Sequence, residues 1–391
     1  MPDPVSGWLA RVSRRAMIVG GAAVAGSAFG QSTAPGLTRT AGQIDAAARQ
    51  AIADGACPGV QIAAFRNGVL LYAAGIGLAN LETMSAVTPK TIFRIGSLTK
   101  QFAAAAIIKL ASQGKLRVAD AAADYLPGLK RLPAMTLLEL MNHTAGLHDD
   151  AQEGSASPGT AAPPSQVELA ERIAGQHKPL DFGSGTAWLY SNSNYIVLGA
   201  VIEKVTERTL SDALDALIFR PVGLRDTAID HGGDVVRYRA SGYTALEGKA
   251  RAFANADYIQ ISEAGGAGAM RSNANDLVKW HHALLSGELF EARWLDLMMI
   301  PGRLRDGRLS GANRFSPSDA NYGEVQYACG LLVQSGGAHG RVISHNGFIN
   351  GFAATLESYP DKGATFAVLC NGDVGPALPF RAIRRAVVGI L

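Results

Sequence analysis

With 391 residues, 48% of them hydrophobic and 18% charged, the chain can bury a large core, and no low-complexity tract interrupts it. A formal charge of +3, without any run of five like charges, argues against nucleic acid or an acidic surface as a partner. Three scattered cysteines (Cys57, Cys329, Cys370) exclude a disulfide scaffold and a Cys-x-x-Cys zinc or redox site. Buried thiols are the expected state, with one pair able to form in an oxidising compartment.

Arg11, Arg14 and Arg15 precede an uncharged stretch at residues 16–29. These 14 residues are too few to cross a bilayer at roughly 1.5 Å each and fit a signal-peptide core. Ser13-Arg14-Arg15-Ala16-Met17-Ile18 resembles a twin-arginine export signal, which implies a periplasmic or secreted protein that meets the membrane only through this segment. Removing residues 1–30 leaves 33 basic and 32 acidic residues, so most of the net charge belongs to the signal.

Beyond it, residues 38–54 read as a helix with Ile44, Ala48 and Ile52 on one face. Apolar runs at 59–65 and 69–75 flank Arg66-Asn67-Gly68, and Asn-Gly between such runs predicts a hairpin. Strands are predicted again at 329–334, 340–344, 352–358 and 364–369, the last two joined by the turn sequence Tyr359-Pro360-Asp361-Lys362-Gly363. A helix over 378–391 closes the chain. Between these ends helical spacing dominates, at 101–113, 134–141, 166–174, 194–206, 210–219 and 275–285. Residues 154–164, with three prolines and no large apolar side chain, are expected to form a mobile loop. The pattern is α+β: one antiparallel sheet built from both ends of the chain, flanked by helices, with an inserted, mostly helical domain. The signal segment occupies 1–31 and the folded part 36–391. A sheet lobe covers about 36–115 and 285–391, and a helical lobe about 116–284.

Chemistry is concentrated in three places. In Ser97-Leu98-Thr99-Lys100, a helix starting near Ser97 sets serine and lysine one turn apart on one face, with amide groups directed at the serine. A serine hydroxyl needs a neighbouring base or cation to become a nucleophile, and a buried lysine can supply one. The plain alternative is Ser97 as a helix cap with Lys100 solvated. However, the Ala-rich stretch that follows reads as a core helix, where a lysine needs partners. Tyr190-Ser191-Asn192 offers a phenol to share the serine's proton and an amide to bind lysine and a substrate carbonyl; the plain reading is a loop tyrosine and a helix cap. His345-Asn346-Gly347 is predicted at the end of a strand. There Gly347 permits close approach of a ligand, the Phe348 amide joins that of Ser97 in holding an oxyanion, and His345 offers a hydrogen bond or, at lower pH, a charge. A surface turn is its plain reading. His281 and His282, on a predicted helix without a metal-like glutamate partner, are assigned solvated or packing roles. No metal or cofactor motif occurs, and Gly-x-Ser-x-Gly is absent.

Together, in this order, the three elements resemble the class C β-lactamase-like serine hydrolases, a family of β-lactamases, D,D-carboxypeptidases, D-aminopeptidases and esterases. The resemblance runs from about Gln43 to the C-terminus. It includes Gly75-Ile76-Gly77-Leu78-Ala79, Asn142-His143-Thr144-Ala145-Gly146-Leu147 and the stretches 185–195 and 265–280. It implies the β-lactamase/transpeptidase-like fold and a cofactor-free acyl-hydrolase, with His143 in a structural turn leading out of a helix. Ser97 is then the nucleophile, Lys100 and Tyr190 the proton-handling pair, and Asn192, His345, Gly347 and Phe348 the substrate contacts. The β-lactamases proper carry Lys-Thr-Gly where this chain has His345-Asn346-Gly347, and histidine is usual in the peptidase and esterase branches. The implied partner is a small-molecule or peptide acyl substrate, such as a peptidoglycan stem peptide, and the protein a monomer or weak oligomer. The competing expectation is a catalytically inactive binder of peptidoglycan peptides.

Overall fold

The computed structural model describes residues 35–149, 164–246, 249, 251–316, 326–335, 339–373 and 378–389. The predicted export segment and residues 154–163 of the predicted loop lie outside them. In chain order the strands are β1 (Gly59–Arg66), β2 (Val69–Asn80), β3 (Ser85–Ala86), β4 (Phe93–Arg94), β5 (Ala228–Ile229), β6 (Tyr243–Ala245) and β7 (Phe253–Asn255). Then come β8 (Met270–Ser272), β9 (Gln326–Tyr327), β10 (Leu332–Gln334), β11 (Val342–Ile349), β12 (Phe352–Tyr359) and β13 (Ala364–Cys370).

Eight of them form an antiparallel sheet in the order β3-β2-β1-β13-β12-β11-β10-β9, so both ends of the chain build it, as expected. The β1–β2 turn uses Asn67 and Gly68 at φ 49° and 79°, the two left-handed residues that a tight hairpin requires. On one sheet face Val60, Ile62, Phe366 and Val368 pack against Ile44 and Ala48 of α1 (Pro35–Ala53) and against Ile383 and Val387 of the helix Phe380–Val388. The other face, with Ala63, Leu356, Ala367 and Leu369, meets α2 (Thr99–Ser112) and the helix Ala274–Leu285. Nearly every residue of α2 is buried, because a helix that is apolar all round belongs inside. All three cysteines are buried free thiols.

Two predicted elements differ. The strand expected to stop at residue 344 runs on through His345-Asn346-Gly347 to Ile349, because a second Asn-Gly pair, Asn350-Gly351, turns it into β12. The middle of the chain is also not purely helical: β4, β8 and β5 make a three-stranded sheet, and β6 and β7 a two-stranded one. Strands of two or three residues are too short to show alternation in sequence.

The three-stranded sheet is fastened by Asp230, whose fully buried carboxylate accepts hydrogen bonds from Arg94, Arg239 and Arg271, each at 2.9 Å. Burial works to raise the Asp230 pKa, but the bonds from Arg239 and Arg94 outweigh it and hold the group ionised. Asp230→Ala removes the acceptor shared by three guanidinium groups, of which Arg271 keeps the Asp234 carboxylate and Arg239 the Asp234 carbonyl, and is expected to cost about 3 kcal/mol in urea unfolding, the lower end of the cost of breaking a buried pair. A loss below ~1 kcal/mol, the level of an exposed pair, would refute that role.

Candidate active site

Ser97 sits in a 3₁₀ turn, Gly96–Leu98, that joins β4 to α2; the helix proper begins at Thr99 rather than at the serine. The turn is pinned by Thr99 Oγ1, which donates to the Gly96 carbonyl at 2.7 Å, and by the Ile95 amide, which donates to the Met270 carbonyl at 3.0 Å. Lys100 still lies one turn beyond the serine, fully buried. Its Nζ donates to Ser97 Oγ at 3.1 Å, to Asn192 Oδ1 at 2.7 Å and to the Ala267 carbonyl at 2.9 Å. The rings of Tyr190 and Tyr195 face it, with centroids at 4.7 and 5.7 Å. Burial pulls the Lys100 pKa down to about 7, against the opposing charge of Asp149. Three oxygen acceptors and two aromatic faces satisfy the ammonium, yet the site is dry enough for the neutral amine to form at ordinary pH. A lysine titrating near neutrality beside a serine hydroxyl is suited to receive its proton.

Tyr190 and Asn192 reach this point from the loop that enters the helix Asn192–Thr206. His143 holds that loop. Fully buried, at φ 61°, its Nδ1 accepts from the Ser191 amide at 3.2 Å and from Asn194 Nδ2 at 3.0 Å, while its ring lies 4.4 Å from that of Tyr190. Burial, with Lys100 and His345 nearby, drives its pKa well below the usual histidine value. His143 thus lies inside the turn, bonded to the loop that carries Tyr190 and Asn192. His281 is likewise internal, its Nδ1 2.7 Å from Ser358 Oγ and its Nε2 2.8 Å from Gln101 Oε1.

The third motif is arranged differently from the sequence reading. His345 is buried, its Nε2 3.0 Å from the Tyr327 hydroxyl and its Nδ1 against the Asn346 carbonyl. Burial, with Lys100, lowers its pKa to about 3, against the bond to Asn346. The charge expected of it at lower pH is out of reach across the neutral range. Gly347, expected to admit a ligand, admits the chain's own backbone instead: a Cβ there would lie 1.9 Å from the Ile95 carbonyl oxygen. Gly96, at φ +50°, makes the reciprocal approach, since a Cβ on it would lie 2.7 Å from the Phe348 carbonyl oxygen and 2.8 Å from its nitrogen. Strand β11 and the serine turn therefore touch backbone to backbone. Because Ile349 and Phe352 close a two-residue hairpin, they exchange backbone hydrogen bonds, and alternation turns the Asn346 and Phe348 amides away from β12. The Phe348 nitrogen is thereby brought beside the serine turn, while its side chain is half exposed.

The structure thus gathers Ser97, Lys100, Tyr190 and Asn192 around one buried nitrogen, with His345 behind Tyr190 at a ring separation of 6.3 Å. Sequence reasoning missed Asp149, which accepts from the Asn192 amide at 3.1 Å and from its Nδ2 at 3.2 Å. It also missed Tyr195, Tyr327 and the Ala267 carbonyl. Asp149 and Ala267 had no detectable signal, since they lie 43 and 167 residues from the groups they meet.

A central antiparallel sheet with helices on both faces, carrying a buried lysine on its core helix and a serine in the turn before it, defines a beta-lactamase/transpeptidase-like protein. The chain belongs to the beta-lactamase family, whose model matches residues 44–389. It is similar to penicillin-binding protein 4* of Bacillus subtilis (strain 168), 24% identical over 321 residues that cover 79% of this chain and 67% of that protein. Esterase EstB of Burkholderia gladioli is 33% identical over 201 residues, 48% of this chain and 50% of the esterase. Among solved structures, a D-stereospecific amidohydrolase from Streptomyces sp. superposes with a TM-score of 0.70 at 25% identity, over 88% of this chain and 98% of that one. The family resemblance and the fold expected from sequence are borne out.

Proposed function

We propose that the chain is an exported serine acyl-hydrolase that cleaves an ester or amide through an acyl-enzyme. The observation that carries this reading is the 3.1 Å contact between Ser97 Oγ and a buried lysine whose pKa lies at about 7. Ser97 Oγ attacks the substrate carbonyl while the Lys100–Tyr190 pair takes its proton, and the amides of Ser97 and Phe348 receive the developing oxyanion. The proton passes to the leaving group as the carbonyl re-forms. Water then attacks the acyl-enzyme by the reverse assignment, freeing Ser97. Relatives named as an esterase, a penicillin-binding protein and a D-stereospecific amidohydrolase support this class of reaction. The neutral, buried His345 favours substrates without a carboxylate at the third motif, and so an ester or amide over a β-lactam antibiotic. The arginine pair ahead of residues 16–29 supports export, which cell fractionation tests: retention in the cytoplasm removes that part of the reading.

The test of the chemistry is covalent. A fluorophosphonate probe is expected to add one label, on the peptide containing Ser97, and Ser97→Ala is expected to lose both the label and short-chain ester hydrolysis. Labelling that persists in the variant refutes the nucleophile. A wild-type protein that neither labels nor turns over ester, yet binds peptidoglycan peptides, establishes the inactive binder instead.

A further inference from the structure

Asp149 lies beyond the helix Leu137–Met141, and both its carboxylate oxygens face Asn192. One accepts the backbone N–H and the other accepts from Nδ2, while Asn192 Oδ1 accepts from Lys100 Nζ at 2.7 Å. The polarity of this chain is forced. An ammonium only donates, a carboxylate only accepts, and the amide between them has one end of each kind. Were the amide reversed, its NH₂ would oppose the ammonium and its oxygen would oppose the carboxylate. We propose that Asp149 is a positioning residue that locks Asn192 with its oxygen on Lys100 and, through that amide, keeps the proton of the Lys100–Tyr190 pair bound to higher pH. The inference rests on the catalytic reading of Ser97 and Lys100 given above.

Two consequences follow from the lock. Asn192 keeps one Nδ2 hydrogen for a ligand carbonyl, on the side that Asp149 does not occupy. The carboxylate also reaches the lysine without touching it, so the site gains a negative charge without an ion pair that would tie Lys100 down. The other groups that face Lys100 are Ser97 on its own turn, the Tyr190 and Tyr195 rings, and the Ala267 carbonyl. His143 and His345 are near enough to feel its charge, and burial keeps both neutral. The Asp149 carboxylate therefore supplies the opposing charge that acts on Lys100 among the described residues.

The test is the pH dependence of ester hydrolysis by the purified protein, with kcat and KM measured from pH 5 to 10. In Asp149→Asn the amide at 149 competes for the Asn192 oxygen and the negative charge is gone. A fall in kcat of about tenfold is expected, the order set by roughly 1.4 kcal/mol of lost positioning. The acid limb is expected to move down by about one pH unit, because the negative charge that raises the lysine's pKa is gone. The exchange variant Asp149→Asn/Asn192→Asp restores one carboxylate and one amide with every donor facing an acceptor, and sets the charge directly on Lys100. Its acid limb is expected at or above the wild-type position. A limb that stays at the wild-type pH in Asp149→Asn overturns the proposal, whether or not kcat falls. So does an exchange variant whose limb stays with that of the single variant. If Asp149→Asn does not fold, the exchange variant decides by itself: a limb below that of wild type overturns the assignment. Ser97→Ala separates the two levels. Full ester turnover in that variant removes the catalytic reading, whereas loss of turnover there with a wild-type Asp149→Asn removes only the role of Asp149.

Discussion

Lys100→Met is expected to lower kcat/KM for an ester by roughly 10²–10⁴-fold, the range that a positioned proton acceptor contributes. In the wild type the acid limb of kcat/KM is expected near the lysine's pKa of about 7, because the pair must give up one proton before it can accept the serine's. The same substitution has a second signature in stability. The folded pKa lies below the unfolded one, so the unfolded chain binds more protons in between. The penalty for burying this lysine is thus complete below about 7 and vanishes above 10.5, the ordinary value of a lysine in water. From this group alone, wild-type stability rises across that window by something on the order of 5 kcal/mol. At neutral pH the variant loses that penalty but leaves Asn192 Oδ1 and the Ala267 carbonyl without their donor, at about 1–3 kcal/mol each, so the two forms are expected to be of similar stability. The decisive quantity is the difference between them in urea unfolding at pH 7 and at pH 10. It should shift toward the wild type as pH rises, other titrations being common to both. A difference independent of pH would mean that Lys100 is not the dry, strained charge described above.

How much of this could be read without coordinates depends on how far apart the partners lie in the chain. Asn67-Gly68 and the turn before Gly363 are local, and the hairpins they predict are present. Ser97 and Lys100 are three residues apart and share a turn, so that pair was legible too. Asn350-Gly351 carries the same hairpin information as Asn67-Gly68. His345-Asn346-Gly347 itself resembles the end of a strand, and a strand ending at Ser344 falls five residues short of Ile349. What sequence could not supply was anything set by packing across the fold. Asp230 meets Arg94 across 136 positions, and the Ala267 carbonyl meets Lys100 across 167. The burial that neutralises His345 is likewise a property of the assembled sheet and not of its neighbours in the chain. Ser97, Lys100, Tyr190 and Asn192, singled out from two separate motifs, lie together in the structure, whereas a glycine at a strand end gave no sign that the Ile95 backbone would fill the space beside Gly347.

Gly347→Ala is expected to be more damaging than its single methyl group suggests. A Cβ at this position falls 1.9 Å from the Ile95 carbonyl oxygen and 3.3 Å from the Leu98 nitrogen. Both are backbone atoms of the segment carrying Ser97, so no side chain can swing aside; strand or turn must retreat. Overpacking of this kind costs about 1–3 kcal/mol, and a displacement near 1 Å at a reacting group costs about 10²-fold in rate. The variant should therefore remain folded while kcat/KM falls by about two orders of magnitude. Gly96→Ala is a less clean experiment, since it adds a strained positive φ of 50° to a similar clash. Gly232, where a Cβ meets nothing within 4 Å, supplies the control, and Gly232→Ala should leave both rate and stability unchanged. Wild-type turnover by Gly347→Ala would show that the serine turn is not held by β11, and the oxyanion assignment to the Phe348 amide would fall with it. The glycine of the third motif is thus explained by contact with the nucleophile's own backbone: it sets how closely strand and serine can approach, and through that distance where the Phe348 amide stands.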